Sequence, residues 1–204
     1  MDRAELKALA KEQIKGNIGI LFVCYLIVFG ISLVAGMIPV VGWIASFVIA
    51  PVLALGICSI FLGLTKGEGV EVGKLFSEFS NMGTALLLNI LIAVFTFLWS
   101  LLFWIPGIIK ALSYSMAYYV LADNPDMTAS EALNESKEIM YGHKWELFVL
   151  HLSFILWDLL VCFTLGIAAV YVIPYKSATV ANFYQRIKRQ PEATEMPYSE
   201  ADMI

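Results

Sequence analysis

Charge is what this sequence lacks. From Gly16 to Thr65, fifty residues pass without an Asp, Glu, Lys or Arg, and another thirty-one do so from Phe79 to Ile109. Only 15% of the 204 residues are charged and 60% are hydrophobic, against about 25% and about 45–50% in soluble globular domains. A membrane-crossing helix needs roughly 20 apolar residues, so the first run holds two crossings. Its length excludes a buried helix pair of a soluble protein. Histidine is scarce as well: His143 and His151 are the only two. There is no His-x-x-x-His, no Gly-x-Ser-x-Gly and no paired Asp at helical spacing, which argues against a metal hydrolase and against an enzyme generally. No cofactor or metal is expected. Cys24, Cys58 and Cys162 all lie in apolar segments without metal spacing, an odd set that argues against a disulfide framework. The N-terminus mixes acidic and basic residues before a span too long for a signal peptide. No basic aromatic surface points to nucleic acid.

What is present reads as an all-α, polytopic membrane bundle. Apolar stretches at about 18–37, 43–64, 84–104, 107–122, 145–164 and 167–186 predict six transmembrane helices. Short breaks pair them: Ile38-Pro-Val-Val-Gly42, Ile105-Pro-Gly107 and Thr164-Leu-Gly166. Residues 145–186 as one helix would run about 63 Å at 1.5 Å per residue, twice the roughly 30 Å hydrocarbon core. The chain must turn back. Eleven of the 13 basic residues fall outside the hairpin turns on one side, and the three turns carry none. Basic flanks stay cytoplasmic, so both termini are expected inside a plasma membrane.

The same segments hint at a threefold repeat over residues 1–190, in units of about 1–67, 68–126 and 127–190. Aligning Ala10–Val23 with Ser136–Val149 at an offset of 126 matches Lys, Glu, Gly, Leu, Phe and Val. Phe76–Leu88 enters the third span similarly. Each unit would be an amphipathic cytoplasmic segment, a span, a Gly/Pro turn and a returning span. The first segment, 2–14, puts Leu6, Leu9, Ala10 and Ile14 on one face with lysines elsewhere. Such a helix can lie at the headgroups and attract anionic lipid, or pack on the bundle end. The third opens with Thr128 and Glu131 at capping-box spacing. The acidic, proline-containing tail 191–204 is expected to be disordered.

Ionisable residues at membrane depth are costly and mark candidate sites. Lys110, His151, Asp158 and Lys176 are such residues, with Glu146 at an inner edge. Counted from the turns, Asp158 lies within roughly 5 Å in depth of either lysine. It is expected to pair with Lys110, Lys176 or both, and Tyr114, Tyr118, Tyr175, Thr179 and Asn182 could complete a polar network. The same network could serve only to fix packing. Pro51 and Pro174, eight or nine residues after their turns, are expected to kink their spans.

Several strings resemble a bacterial membrane family, the domain of unknown function 975. They are Ile105–Ala117, Leu121–Ala132, Gly142–Phe148 and Pro174-Tyr-Lys176. The resemblance covers about residues 1–190 and implies a bacterial plasma membrane location and no reaction. The chain also looks distantly similar to the membrane portion of some glycerophosphodiester phosphodiesterases, whose catalytic domain it lacks. The bilayer is then the expected partner. A non-enzymatic scaffold or partner protein is the first reading, and a transporter or lipid-handling protein with a polar intramembrane site is the alternative.

Overall fold

A computed structural model describes residues 3–38, 41–102 and 104–189. The tail 191–204, like Pro39-Val40 of the first turn, lies outside the described residues. Among the described residues there is no strand, and eleven α-helices follow one another. They are α1 (Arg3–Ile14), α2 (Ile18–Gly36), α3 (Val41–Thr65), α4 (Lys74–Ser77), α5 (Met82–Leu102), α6 (Trp104–Tyr114), α7 (Ala117–Asp123), α8 (Ala129–Ile139), α9 (Lys144–Leu152), α10 (Ile155–Phe163) and α11 (Ala169–Lys188).

Four stretches are long and apolar enough to cross a membrane: Ile18–Gly36, Ala45–Thr65, Lys74–Leu101 and Lys144–Phe163. Two of the six expected spans, 107–122 and 167–186, are not among these four, and a third, 145–164, is among them but interrupted. The span at 107–122 is divided into α6 and α7 at Ser115-Met116, and α6 alone reaches only about 17 Å. The span at 145–164 bends between α9 and α10 at Ser153-Phe154. A serine bonds back to its own helix at both breaks. Ser115 Oγ donates to the Leu112 carbonyl at 2.7 Å and Ser153 Oγ to the Leu150 carbonyl at 2.5 Å, drawing those acceptors away from regular helical bonding. The sixth stretch is the single helix α11, which carries Lys176, Arg186 and Lys188.

The core gathers around α3, which packs against α2, α4, α5, α7 and α11. Val52, Leu53, Leu55, Phe61 and Leu62 of α3 are buried there. Gly56 permits the closest approach: a Cβ on it would stand 2.4 Å from the Leu75 carbonyl oxygen, so only glycine lets α4 cross α3 there. The outward faces of α2 and α5 expose Leu26, Phe29, Val34, Leu98 and Leu101. A continuous apolar surface of this kind suits lipid and not water.

The amphipathic segments follow one packing rule. Helix α4 lies on α3, α8 on α5, α6 and α7, and α1 on α11. In α1 the residues Leu6, Ala10 and Ile14 are buried at i, i+4, i+8 spacing, while Leu9 is exposed. The α1 apolar face is thus taken up by α11. Five position pairs 126 apart, Leu6/Ala132, Ala10/Ser136, Ile14/Met140, Leu21/Leu147 and Cys24/Leu150, are all at most 2% exposed. Gly16 and Gly142, also 126 apart, both end their segments at positive φ, +90° and +78°, where a side chain would be strained. The Thr128–Glu131 capping box forms at the start of α8.

Candidate functional site

The ionisable residues of the apolar stretches fall into two separate places. Lys176 on α11 donates to Asp158 on α10 at 2.9 Å. Neither side chain is buried: Asp158 is 49% exposed and Lys176 32%. The pair borders an open groove of ≈ 250 Å³ lined also by Val161, Val172, Ile173 and Ser177. Past Ile173 a second groove, apolar and ≈ 440 Å³, runs between α2 and α11 beside Phe22, Leu26 and Phe29. Helix α10, which carries Asp158, buries no residue of its own.

An aromatic group sits one turn away. Tyr175 meets Phe154 edge-on at 5.2 Å and Trp157 edge-on at 5.8 Å. From α1, Lys7 stands 4.3 Å over the Phe154 ring and donates to the Ser153 carbonyl at 3.1 Å, while Lys11 lies 5.8 Å from the Tyr175 ring. Burial holds the Lys7 ammonium below the ordinary lysine range, and Arg3 and Lys11 push it the same way.

Lys110 is not in this group. Its ammonium stands 4.5 Å over the Trp99 ring, on the far side of the bundle between α5 and α6. Tyr114, one turn further along α6, is buried with its ring 6.3 Å from Phe95. The remaining polar candidates are each engaged locally. Tyr118 donates to Asn89 at 3.1 Å, Thr179 to the Tyr175 carbonyl at 2.8 Å, and Asn182 exchanges amide hydrogen bonds with Gln13 at 2.6 and 3.1 Å. His143 contacts Glu146 at 3.1 Å and His151 the Leu147 carbonyl at 3.0 Å. Among the described residues no three His, Cys, Asp or Glu side chains converge as a metal site. Pro51 and Pro174 are buried inside the continuous helices α3 and α11, where each removes the amide that would bond to residue 47 or 170.

Asp123, the last residue of α7, joins three helices. Lys66, just past α3, donates to its Oδ1 at 2.6 Å; Lys188 and Tyr184 of α11 donate to its Oδ2, Tyr184 at 3.3 Å. Its side chain is 11% exposed. Lys66, Asp123 and Lys188 stand at the C-terminal ends of α3, α7 and α11.

No curated protein and no solved structure shows significant similarity to the chain. The family model described as "Protein of unknown function (DUF975)" matches residues 1–113 and 102–191. Apolar helices long enough to cross a membrane, a bonded carboxylate at Asp123 and the strings around Pro106, Asp123 and Pro174 thus occur in a chain that belongs to the DUF975 family.

Proposed function

We propose that this chain is a non-enzymatic membrane scaffold, a bundle of three helix pairs that crosses a bacterial plasma membrane six times with both termini in the cytoplasm. In this arrangement α6 with α7 makes the fourth crossing and α11 the sixth. The three pairs descend from a repeated unit, as the buried pairs at an offset of 126 suggest.

One observation supports the scaffold reading: among the described residues, the buried polar side chains other than Glu78 are taken up by hydrogen bonds to neighbouring groups. Of the buried polar side chains, Ser113 and Thr179 donate back to carbonyls of their own helices. Ser136 donates to the Ser113 carbonyl, tying α8 to α6, and Asn182 is occupied by Gln13. Polar groups spent in this way fix helix register. The charged pair Asp158–Lys176 opens sideways and not onto an axial channel.

Thiol accessibility tests this. With Cys24, Cys58 and Cys162 replaced by Ala, single cysteines at Leu55, Phe61 and Ala178 should resist a membrane-impermeant maleimide from either face. Rapid modification at all three would mark a water-filled path and favour transport instead.

A further inference from the structure

The two grooves beside α11 form one depression. Ile173 lines both. Tyr25 of the apolar groove shares a 2.6 Å hydrogen bond with Ser177 of the charged one. Ile173 and Ser177 are four residues apart on α11, so they stand on one helix face. The apolar part, ≈ 440 Å³, falls within the roughly 300–1,000 Å³ of ligand clefts. Ser32, near the end of α2, lines it together with Gly166, in the turn from α10 to α11, and Ala169, the first residue of α11. The end of α2, the end of α10 and the start of α11 therefore lie at one face of the bundle.

That shared face fixes a depth. Asp158 lies five residues before Phe163, which ends α10, and Lys176 seven after Ala169, which starts α11. At 1.5 Å per residue the two sit about 8 and about 10 Å below it, in agreement with their 2.9 Å contact. The pair has hydrogen-bonding capacity to spare there. A carboxylate accepts about four hydrogen bonds and an ammonium donates three, yet among the described residues each side chain has the other as its one partner. Both are accessible, Asp158 at 49% and Lys176 at 32%. Polar groups that face hydrocarbon without water are unfavourable until something bonds them. The pair is neutral as a whole, so it suits a neutral group and not an ion. A hydroxyl fits: it can donate to the open Asp158 Oδ1 and accept from a remaining Lys176 N–H, leaving the 2.9 Å contact in place. Phosphate headgroups stay outside the hydrocarbon core, which rules out a lipid that must bring one to this depth.

We propose that this depression binds a neutral lipid of the diacylglycerol class, with one acyl chain in the α2–α11 groove beside Leu26 and Phe29 and its free hydroxyl on Asp158 and Lys176. Both halves of such a molecule are matched. The chain meets apolar walls, and the hydroxyl meets the one charged pair that borders them. The site goes beyond the scaffold role and does not depend on it, because a lateral cleft binds lipid whether or not the chain anchors a partner.

Photolabelling tests this, using the full chain in phosphatidylcholine nanodiscs and a diacylglycerol with a diazirine on one acyl chain. Cross-links should map to Phe22–Phe29 of α2 and Ala169–Ile173 of α11, and excess unlabelled diacylglycerol should abolish them. Asp158→Asn/Lys176→Met should raise the half-saturating concentration at least about fivefold. Leu26→Trp, at an exposed position on the groove, should do the same by filling it. Leu98→Trp on the exposed face of α5 should leave the concentration within about twofold. Diacylglycerol with its hydroxyl capped by acetate should compete at least about fivefold more weakly than the free alcohol. Even labelling of α2, α5 and α10 would mean bulk lipid contact and overturns the proposal, as does an unchanged concentration in the charge-pair variant. Equal competition by the acetate, by phosphatidylglycerol or by oleate overturns the hydroxyl assignment. Should the charge-pair variant not fold, Leu26→Trp and the acetate competition decide.

Discussion

Lys66 and Asp123, fifty-seven residues apart in sequence, meet at 2.6 Å and leave the other Asp123 oxygen to α11. The carboxylate therefore ties together the C-terminal ends of α3, α7 and α11. Burial alone would raise its pKa, but hydrogen bonds from Lys188 and Lys66 outweigh this and hold the carboxyl below the usual carboxylate range. A depressed folded pKa adds stability above the unfolded value, and that stability is lost as pH falls through the folded one. Asp123→Asn should cost about 1–2 kcal/mol at neutral pH. The wild type should lose melting temperature more steeply than Asp123→Asn from about pH 5 downward. Parallel pH profiles for the two proteins would remove the clamp.

Asp158 and Lys176 should be energetically coupled. In a double-mutant cycle with Asp158→Asn and Lys176→Met, followed by thermal denaturation in detergent, the interaction should be about 1 kcal/mol. Its modest size reflects the exposure of both side chains. Additive losses would show that the 2.9 Å contact contributes nothing.

Gly56 should tolerate no side chain. Gly56→Ala pushes a methyl against the Leu75 carbonyl and should destabilise by about 1–3 kcal/mol. Gly30→Ala on α2, with nothing within 4 Å of its added carbon, should be neutral or stabilising by up to about 1 kcal/mol. Equal melting temperatures for the two variants would mean that α4 can lift off α3 at no cost.

Single cysteines report the number of crossings. Six crossings place Met37→Cys, Leu101→Cys and Leu165→Cys on one face of the membrane, and Glu68→Cys and Asp126→Cys on the other. All but Asp126 and Glu68 lie at the apolar turns, and Leu165 is 94% exposed. Four crossings would move Asp126→Cys to the face of Met37→Cys and Leu165→Cys to the opposite one. Labelling in intact and permeabilised cells separates these outcomes.

The apolar stretches, the buried face of α1 and the Thr128–Glu131 cap were legible because each follows a local periodicity or spacing. The breaks at Ser115 and Ser153 were not. Hydropathy averages over a serine hydroxyl, whereas the helix responds to where that hydroxyl bonds. Rise per residue places Asp158 at the depth of both Lys110 and Lys176, but it says nothing of azimuth around the bundle. Packing sets azimuth, and it puts Lys110 against Trp99. Asp123 escaped notice for a related reason: its partners lie 57 and 65 residues away, beyond any local pattern.

The docking of α1 on α11 has a consequence for biogenesis. Helix α1 is synthesised well before α11, the helix it packs on, with Gln13 waiting for Asn182 and Glu5 for Arg186. While the intervening helices are inserted, Leu6, Ala10 and Ile14 have no protein surface to cover them. Docking of α1 therefore waits until α11 has been made, and a nascent chain stalled before α11 exposes an apolar face of α1 that the folded chain hides.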